Sequence, residues 1–143
     1  MIIAANWKMN PAPSAAASLF ADYAADERIT ASKAQILCFV PSCYFAQAEQ
    51  TFKHRSLAWG AQTSHSERSG AFTGEISAEM ISGLGGEWVL AGHSERRSLF
   101  AETDKIVASK LLAALEAGLK VILCVGEPEA QRRNNQQNDY VAN

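Results

Sequence analysis

Residues Trp88–Arg97 read WVLAGHSERR. Four apolar residues, a glycine, a histidine and a charged run describe a buried strand that ends abruptly and feeds a short helix. The apolar run is continuous, not alternating, as in strands covered on both faces. Gly92 supplies the turn, Ser94 and Glu95 suit the first turn of a helix, and His93 falls at the carboxyl rim of the strand. In α/β proteins functional groups collect at that rim. N–H groups at the start of such a helix face one imidazole nitrogen and favour a neutral ring that donates from the other. A histidine that merely caps a loop fits the same residues equally well.

Outward from this stretch, similar β-prone runs occur at Ile2–Asn6, Gln35–Val40, Leu57–Gln62 and Lys120–Gly126, with Trp88–Gly92 as the fourth in chain order. Helical patterns lie between them. Ser14–Arg28 opens behind Pro13 and carries Leu19, Phe20 and Tyr23. Cys43–Arg55 has Ser42 as its expected N-cap and Phe45, Ala48 and Phe52 at helical spacing. Ser77–Leu84 is capped by Ser77 and stopped by Gly85 and Gly86. Thr103–Leu119 is capped by Thr103, with Ile106, Val107, Leu111, Leu112 and Leu115 as its apolar positions. The polar run Gln131 to Asp139 reads as the solvated opening of a further helix.

Alternating β and α segments require a parallel sheet with right-handed crossovers. Two architectures satisfy this. One is an open doubly wound sheet, flavodoxin-like in strand order 2-1-3-4-5. The other is part of a closed (β/α)₈ barrel, with roughly 30 residues per unit. Strand spacing is compatible with both.

Composition narrows the function classes. The chain has 143 residues, 48% hydrophobic and 20% charged, with a net charge of −2. That balance gives no electrostatic case for nucleic acid or an anionic membrane. No apolar run approaches the roughly 20 residues of a membrane helix, and residues 1–6 show no secretory signal pattern. The cysteines are Cys38, Cys43 and Cys124. Their odd number, without CxxC or histidine spacing, argues against a disulfide framework or a metal site and for a reducing, cytoplasmic setting.

Two other strand ends carry polar groups. Asn6 and Lys8 are two residues apart and share one side of an extended backbone. Such an amide and ammonium form an anion or oxyanion site, although by themselves they also fit an ordinary surface turn, the stronger reading. At Cys124-Val125-Gly126-Glu127 a carboxylate reaches the rim, where a structural ion pair to a nearby arginine is favoured over a catalytic role.

Taken together, NWKMN (6–10), GAFTGE (70–75), GHSERR (92–97) and CVGE (124–127) resemble the triosephosphate isomerase family in content, order and spacing. The resemblance covers the whole chain. It implies an α/β fold, the (β/α)₈ TIM barrel, of which residues 1–143 form roughly the first half. It implies cofactor-free interconversion of dihydroxyacetone phosphate and glyceraldehyde 3-phosphate through an enediolate. In this family a glutamate acts as base and a neutral histidine as electrophile.

On that resemblance His93 takes the electrophile's place and Lys8 that of the lysine near the oxyanion and phosphate. Asn6 matches the asparagine beside the carbonyl oxygen, and Trp7 lies between them as packing and backbone of the substrate-binding segment. Glu95 matches a glutamate that positions the lysine, while Cys124 and Glu127 match supporting residues. The stretch from Thr63 to Glu75 matches the loop that docks on a partner subunit, with Thr73 at its tip, so a homodimer is implied. No cofactor or metal is.

The family's base, mobile lid and phosphate loops belong to later units, and no glutamate here matches the base. The chain is therefore expected to be a fragment, inactive alone. A truncated barrel remnant serving as a non-catalytic interaction module is the competing expectation. A second HSER stands at His65–Arg68; it lies inside a loop, and His65 is read as a solvated loop residue.

Overall fold

The computed structural model describes residues 1–53 and 57–142. Five parallel strands, β1 (Ile2–Asn6), β2 (Gln35–Val40), β3 (Leu57–Ala61), β4 (Trp88–Ala91) and β5 (Lys120–Leu123), form one sheet in the order β1-β2-β3-β4-β5. Strictly sequential order means that each crossover steps to the next position in the same direction. That is the wall of a barrel, and it excludes the 2-1-3-4-5 order of the flavodoxin-like alternative. The runs expected at Leu57–Gln62, Trp88–Gly92 and Lys120–Gly126 end earlier as strands, at Ala61, Ala91 and Leu123.

Alternate residues of β2, β3, β4 and β5 enter two different cores. Cys38, Val40, Trp59 and Val89 face the helices, where they meet Trp7, Phe20 and Phe52. Leu37, Phe39, Ala58, Trp88 and Leu90 form the core of the opposite face, with Ile122 and Cys124 against it. Both faces of β2 and β4 are thus dry, as their unbroken apolar runs require. Phe20 stacks between Trp7 at 5.0 Å and Phe52 at 5.4 Å between ring centroids; complete burial of such a ring contributes about 1.5–3 kcal/mol. Gly60 serves close approach: a Cβ there would lie 2.5 Å from the Trp88 carbonyl oxygen and 2.8 Å from the Phe39 ring.

The helices differ from expectation in instructive ways. Ser14–Arg28 divides into α1 (Pro13–Ala25) and α2 (Glu27–Thr30), because the Asp26 side chain accepts the Arg28 N–H and caps a new helix. Ser42 is not a cap. It begins a 3-10 turn, Ser42–Tyr44, ahead of α3 (Phe45–Phe52); Arg55, placed at that helix end from the sequence, lies outside the described residues. Ser77 does cap α4 (Ala78–Gly83), accepting from the Met80 N–H at 3.2 Å. α5 (Ser94–Leu99) follows β4 directly.

α6 (Asp104–Glu116) starts at the expected Thr103 cap. Its buried stripe is Val107, Lys110 and Ala114, not the expected leucines; Ile106, Leu112 and Leu115 are exposed. These buried positions are spaced three and four apart and face the sheet together. Lys110 can join them because its ammonium meets Glu102 at 2.5 Å and the Thr63 hydroxyl at 3.2 Å. The polar tail folds as α7 (Glu129–Arg133) and α8 (Gln137–Ala142). Among the described residues no helix is long and apolar enough to cross a membrane.

Candidate active site

At the carboxyl rim, the ends of β1, β3 and β4 enclose a cavity of about 210 Å³ lined by Asn6, Lys8, Gln62, Thr63, His93 and Glu95, among others. A larger cleft, about 680 Å³, lies beyond β5 among Arg97, Val125 and Tyr140. It contains none of Asn6, Lys8, His93 and Glu95, so the smaller cavity is the candidate site.

Lys8 is built into this cavity at some conformational cost. Its φ is +54°, in the left-handed region that residues with a Cβ avoid. Three contacts hold it. Its N–H donates to Asn6 Oδ1 at 2.9 Å, its carbonyl accepts from Gln62 Nε2 at 2.8 Å, and its Nζ donates to Glu95 Oε1 at 2.7 Å. Gln62 also donates to the Phe39 carbonyl at 3.1 Å. One amide thereby ties the loop after β1 to the end of β2. Because Asn6 Oδ1 accepts from Lys8, its amide NH₂ is left as the donor group.

His93 is the N-cap of α5: the Glu95 N–H donates to its Nδ1 at 3.2 Å. An Nδ1 that accepts leaves Nε2 as the protonated nitrogen of the neutral ring. Glu95 Oε2 stands 3.6 Å from the same Nδ1, beyond hydrogen-bond reach, so the backbone contact sets the tautomer. The hydrogen bond from Lys8 holds the Glu95 carboxyl below the usual carboxylate range, against the opposing effect of burial; the Lys8 charge and then His93 add to the lowering.

Beneath the cavity lies an ionic cluster that sequence reading missed. Glu102, its side chain 5% exposed, accepts from Arg96 Nε and Lys110 Nζ, each at 2.5 Å. Burial pushes the Glu102 carboxyl up, but hydrogen bonds from Lys110 and then Arg96 overcome it, and the net shift is downward. Arg96 also lies over the Phe100 ring at 4.6 Å. The available signal was Lys110 in line with the apolar Val107 and Ala114, eight residues after Glu102.

Not every expected site residue meets the cavity. Asn6, Lys8, His93 and Glu95 do. The Trp7 side chain turns into the helix-side core against Phe20, Tyr23 and Tyr44; only its backbone, donating to the Phe39 carbonyl at 3.0 Å, braces the site. Cys124 packs on the inner core, where burial raises its thiol pKa against the pull of Arg97. Glu127 pairs with Arg132 at 2.5 Å, apart from the cavity. Thr73 is exposed in its loop. His65 is half-buried, not fully solvated: its ring stacks on Phe72 at 4.2 Å, and its Nδ1 accepts from the Glu67 N–H at 3.0 Å. Among the described residues, no cluster of three or more His, Cys, Asp or Glu is placed to hold a metal.

Known proteins resemble this chain over nearly its whole length. The family model described as Triosephosphate isomerase matches residues 1–143. A triosephosphate isomerase of Thiobacillus denitrificans is 43% identical over 141 residues, covering 99% of this chain and 55% of that protein. One of Ruthia magnifica is 41% identical over 142 residues, covering 99% and 56%. A crystal structure of triosephosphate isomerase from Bartonella henselae superposes with a TM-score of 0.86 at 34% identity, covering 99% of this chain and 58% of that one. The chain thus spans about half the length of the curated relatives it matches, and its five strands correspond to about half of a TIM barrel. With a sequential parallel sheet, an asparagine–lysine pair on its first strand end and a capped histidine on its fourth, this chain belongs to the triosephosphate isomerase family.

Proposed function

We propose that residues 1–143 supply the N-terminal part of a triosephosphate isomerase, interconverting dihydroxyacetone phosphate and D-glyceraldehyde 3-phosphate through an enediolate. The observation supporting this most directly is the convergence of Asn6, Lys8 and His93 on one small cavity. Aldose–ketose interconversion moves hydrogen within one molecule, so it calls for proton transfer and oxyanion stabilisation without an external electron acceptor. His93 Nε2–H polarises the carbonyl and donates to the developing oxyanion. The Asn6 amide is a second donor, and the Lys8 ammonium supplies positive charge to oxyanion and phosphate. Glu95 keeps that ammonium in place.

Removing a carbon-bound proton also needs a base. Glu95, the carboxylate of this cavity, is committed to Lys8 and held in its weakly basic form. The base is therefore assigned outside residues 1–143, and the chain alone is expected not to isomerise. Assembly as a homodimer through the Thr63–Glu75 loop, with Thr73 at its exposed tip, and a reducing cytoplasmic setting for the three free thiols complete the proposal.

The test is a chimera joining residues 1–143 to the remaining length of the Thiobacillus denitrificans relative. The expected result is isomerase activity that His93→Ala abolishes. A folded chimera without activity, or one indifferent to His93→Ala, would overturn the proposal.

A further inference from the structure

Arg97 stands behind the strand end that presents His93. It does not line the 210 Å³ cavity; it faces the separate cleft beyond β5. Its Nε–H donates to the Gly92 carbonyl at 2.9 Å, and its Nη1 pairs with Asp104 Oδ1 at 2.6 Å. Gly92 has φ +70°, and a Cβ there would lie 2.9 Å from both Arg97 Nη2 and Val107 Cγ1. The guanidinium is therefore packed against the peptide that immediately precedes His93.

We infer that Arg97, anchored by Asp104, is a positioning residue for His93: it fixes the Gly92–His93 peptide and so sets the imidazole against the Glu95 N–H. The inference rests on the proposed isomerase function only for what His93 then does. Three features support orientation over simple stabilisation. First, the Asp104 side chain is 93% exposed, so the ion pair by itself is worth little. Second, the contacts form a closed circuit: the His93 carbonyl accepts from the Arg96 and Arg97 N–H groups at 2.8 and 3.1 Å, and the Arg97 side chain returns to Gly92. Rotation of the Gly92–His93 peptide would break that circuit. Third, one planar fork addresses a carbonyl and a carboxylate together, which the single ammonium of lysine does poorly.

The test reads the imidazole directly. In the full 143-residue chain with ¹⁵N-labelled histidine, His93 is expected to show one neutral tautomer, protonated at Nε2. Arg97→Met is expected to raise the Nδ1-protonated fraction at least about threefold. Asp104→Asn, which keeps the fork but loosens its anchor, is expected to raise it less. His65, whose Nδ1 accepts from Glu67 in the same local pattern, is the internal control and is expected not to change.

In the chimera, Arg97→Met is expected to lower kcat roughly tenfold with KM held within about twofold. Unchanged His93 signals in folded Arg97→Met protein overturn the inference, whatever happens to kcat. Should Arg97→Met fail to fold, unchanged His93 signals in Asp104→Asn overturn it. A His93 shift in protein whose chimera is inactive supports the positioning role and counts only against the isomerase reading.

Discussion

Lys8 and Glu95, 87 residues apart in sequence, meet at 2.7 Å between Nζ and Oε1. The contact joins the end of the first strand to the first turn of the helix after the fourth. It therefore couples the ammonium's position to the element that carries His93.

That coupling is open to titration. The Glu95 carboxyl lies below its ordinary range because Lys8 donates to it. A depressed folded-state pKa means that the pair's contribution is present above the unfolded-state pKa and is lost as pH falls through the folded value. Carboxyl NMR titration of the chain is expected to place Glu95 below the ordinary glutamate range, and Lys8→Ala to raise it. An unchanged Glu95 titration in Lys8→Ala would show that the hydrogen bond is not its cause.

Lys8→Ala in the chimera is expected to lower kcat/KM by several powers of ten without loss of fold. A loss under about tenfold, roughly 1.4 kcal/mol, would remove Lys8 from the proposed mechanism.

Glu102 is expected to matter for stability. Glu102→Ala leaves Lys110 and Arg96 without their shared carboxylate in a largely closed site, and breaking a buried pair costs about 3–5 kcal/mol. Urea unfolding of the chain measures this. Since the folded Glu102 pKa is lowered, wild-type stability should also decline as pH falls through that value, and Glu102→Ala should flatten the decline.

Two glycines with similar backbone angles should respond differently to alanine. Gly118 has φ +79° with nothing within 4 Å of an added Cβ, so Gly118→Ala is expected to cost only about 1–2 kcal/mol of backbone strain. Gly92→Ala adds overlap with Arg97 and Val107 to the same strain, and is expected to cost at least about 1 kcal/mol more. Equal midpoints in urea for the two variants would contradict this.

The thiols should separate cleanly. Burial pushes Cys38 up to about 11, whereas Cys43 is exposed. Alkylation at pH 8 followed by peptide mass mapping is expected to label Cys43 first and Cys38 only on unfolding. Labelling of Cys38 in the native chain would show that its site opens.

Much of this molecule was legible before its structure. All five strands fall where apolar runs place them, and for β2, β3 and β4 burial on both faces leaves a strong local mark. The caps Ser77 and Thr103 were legible for a similar reason: their hydroxyls accept from N–H groups three residues away. What escaped depends on tertiary placement. Gln62 acts on the carbonyls of Lys8 and Phe39, which come together only through the register of the sheet. On α6 the burial of Val107 was legible but that of Lys110 was not, because a lysine is buried there only beside Glu102 and helical periodicity says nothing of that partner. The two HSER stretches make the same point. Both histidines accept from the amide two residues on, a purely local contact, yet only His93 stands beside Asn6 and Lys8.

Among the described residues β1 pairs with β2 alone, while β4 is flanked by β3 and β5. Ile2 and Ile3 of β1 are each 50% exposed. The two halves of the cavity therefore have unequal lifetimes. Amide exchange should release the Asn6–Lys8 side by local fraying, well before the strand behind His93 gives up its protons. Any ligand spanning Lys8 and His93 should therefore slow exchange most in β1.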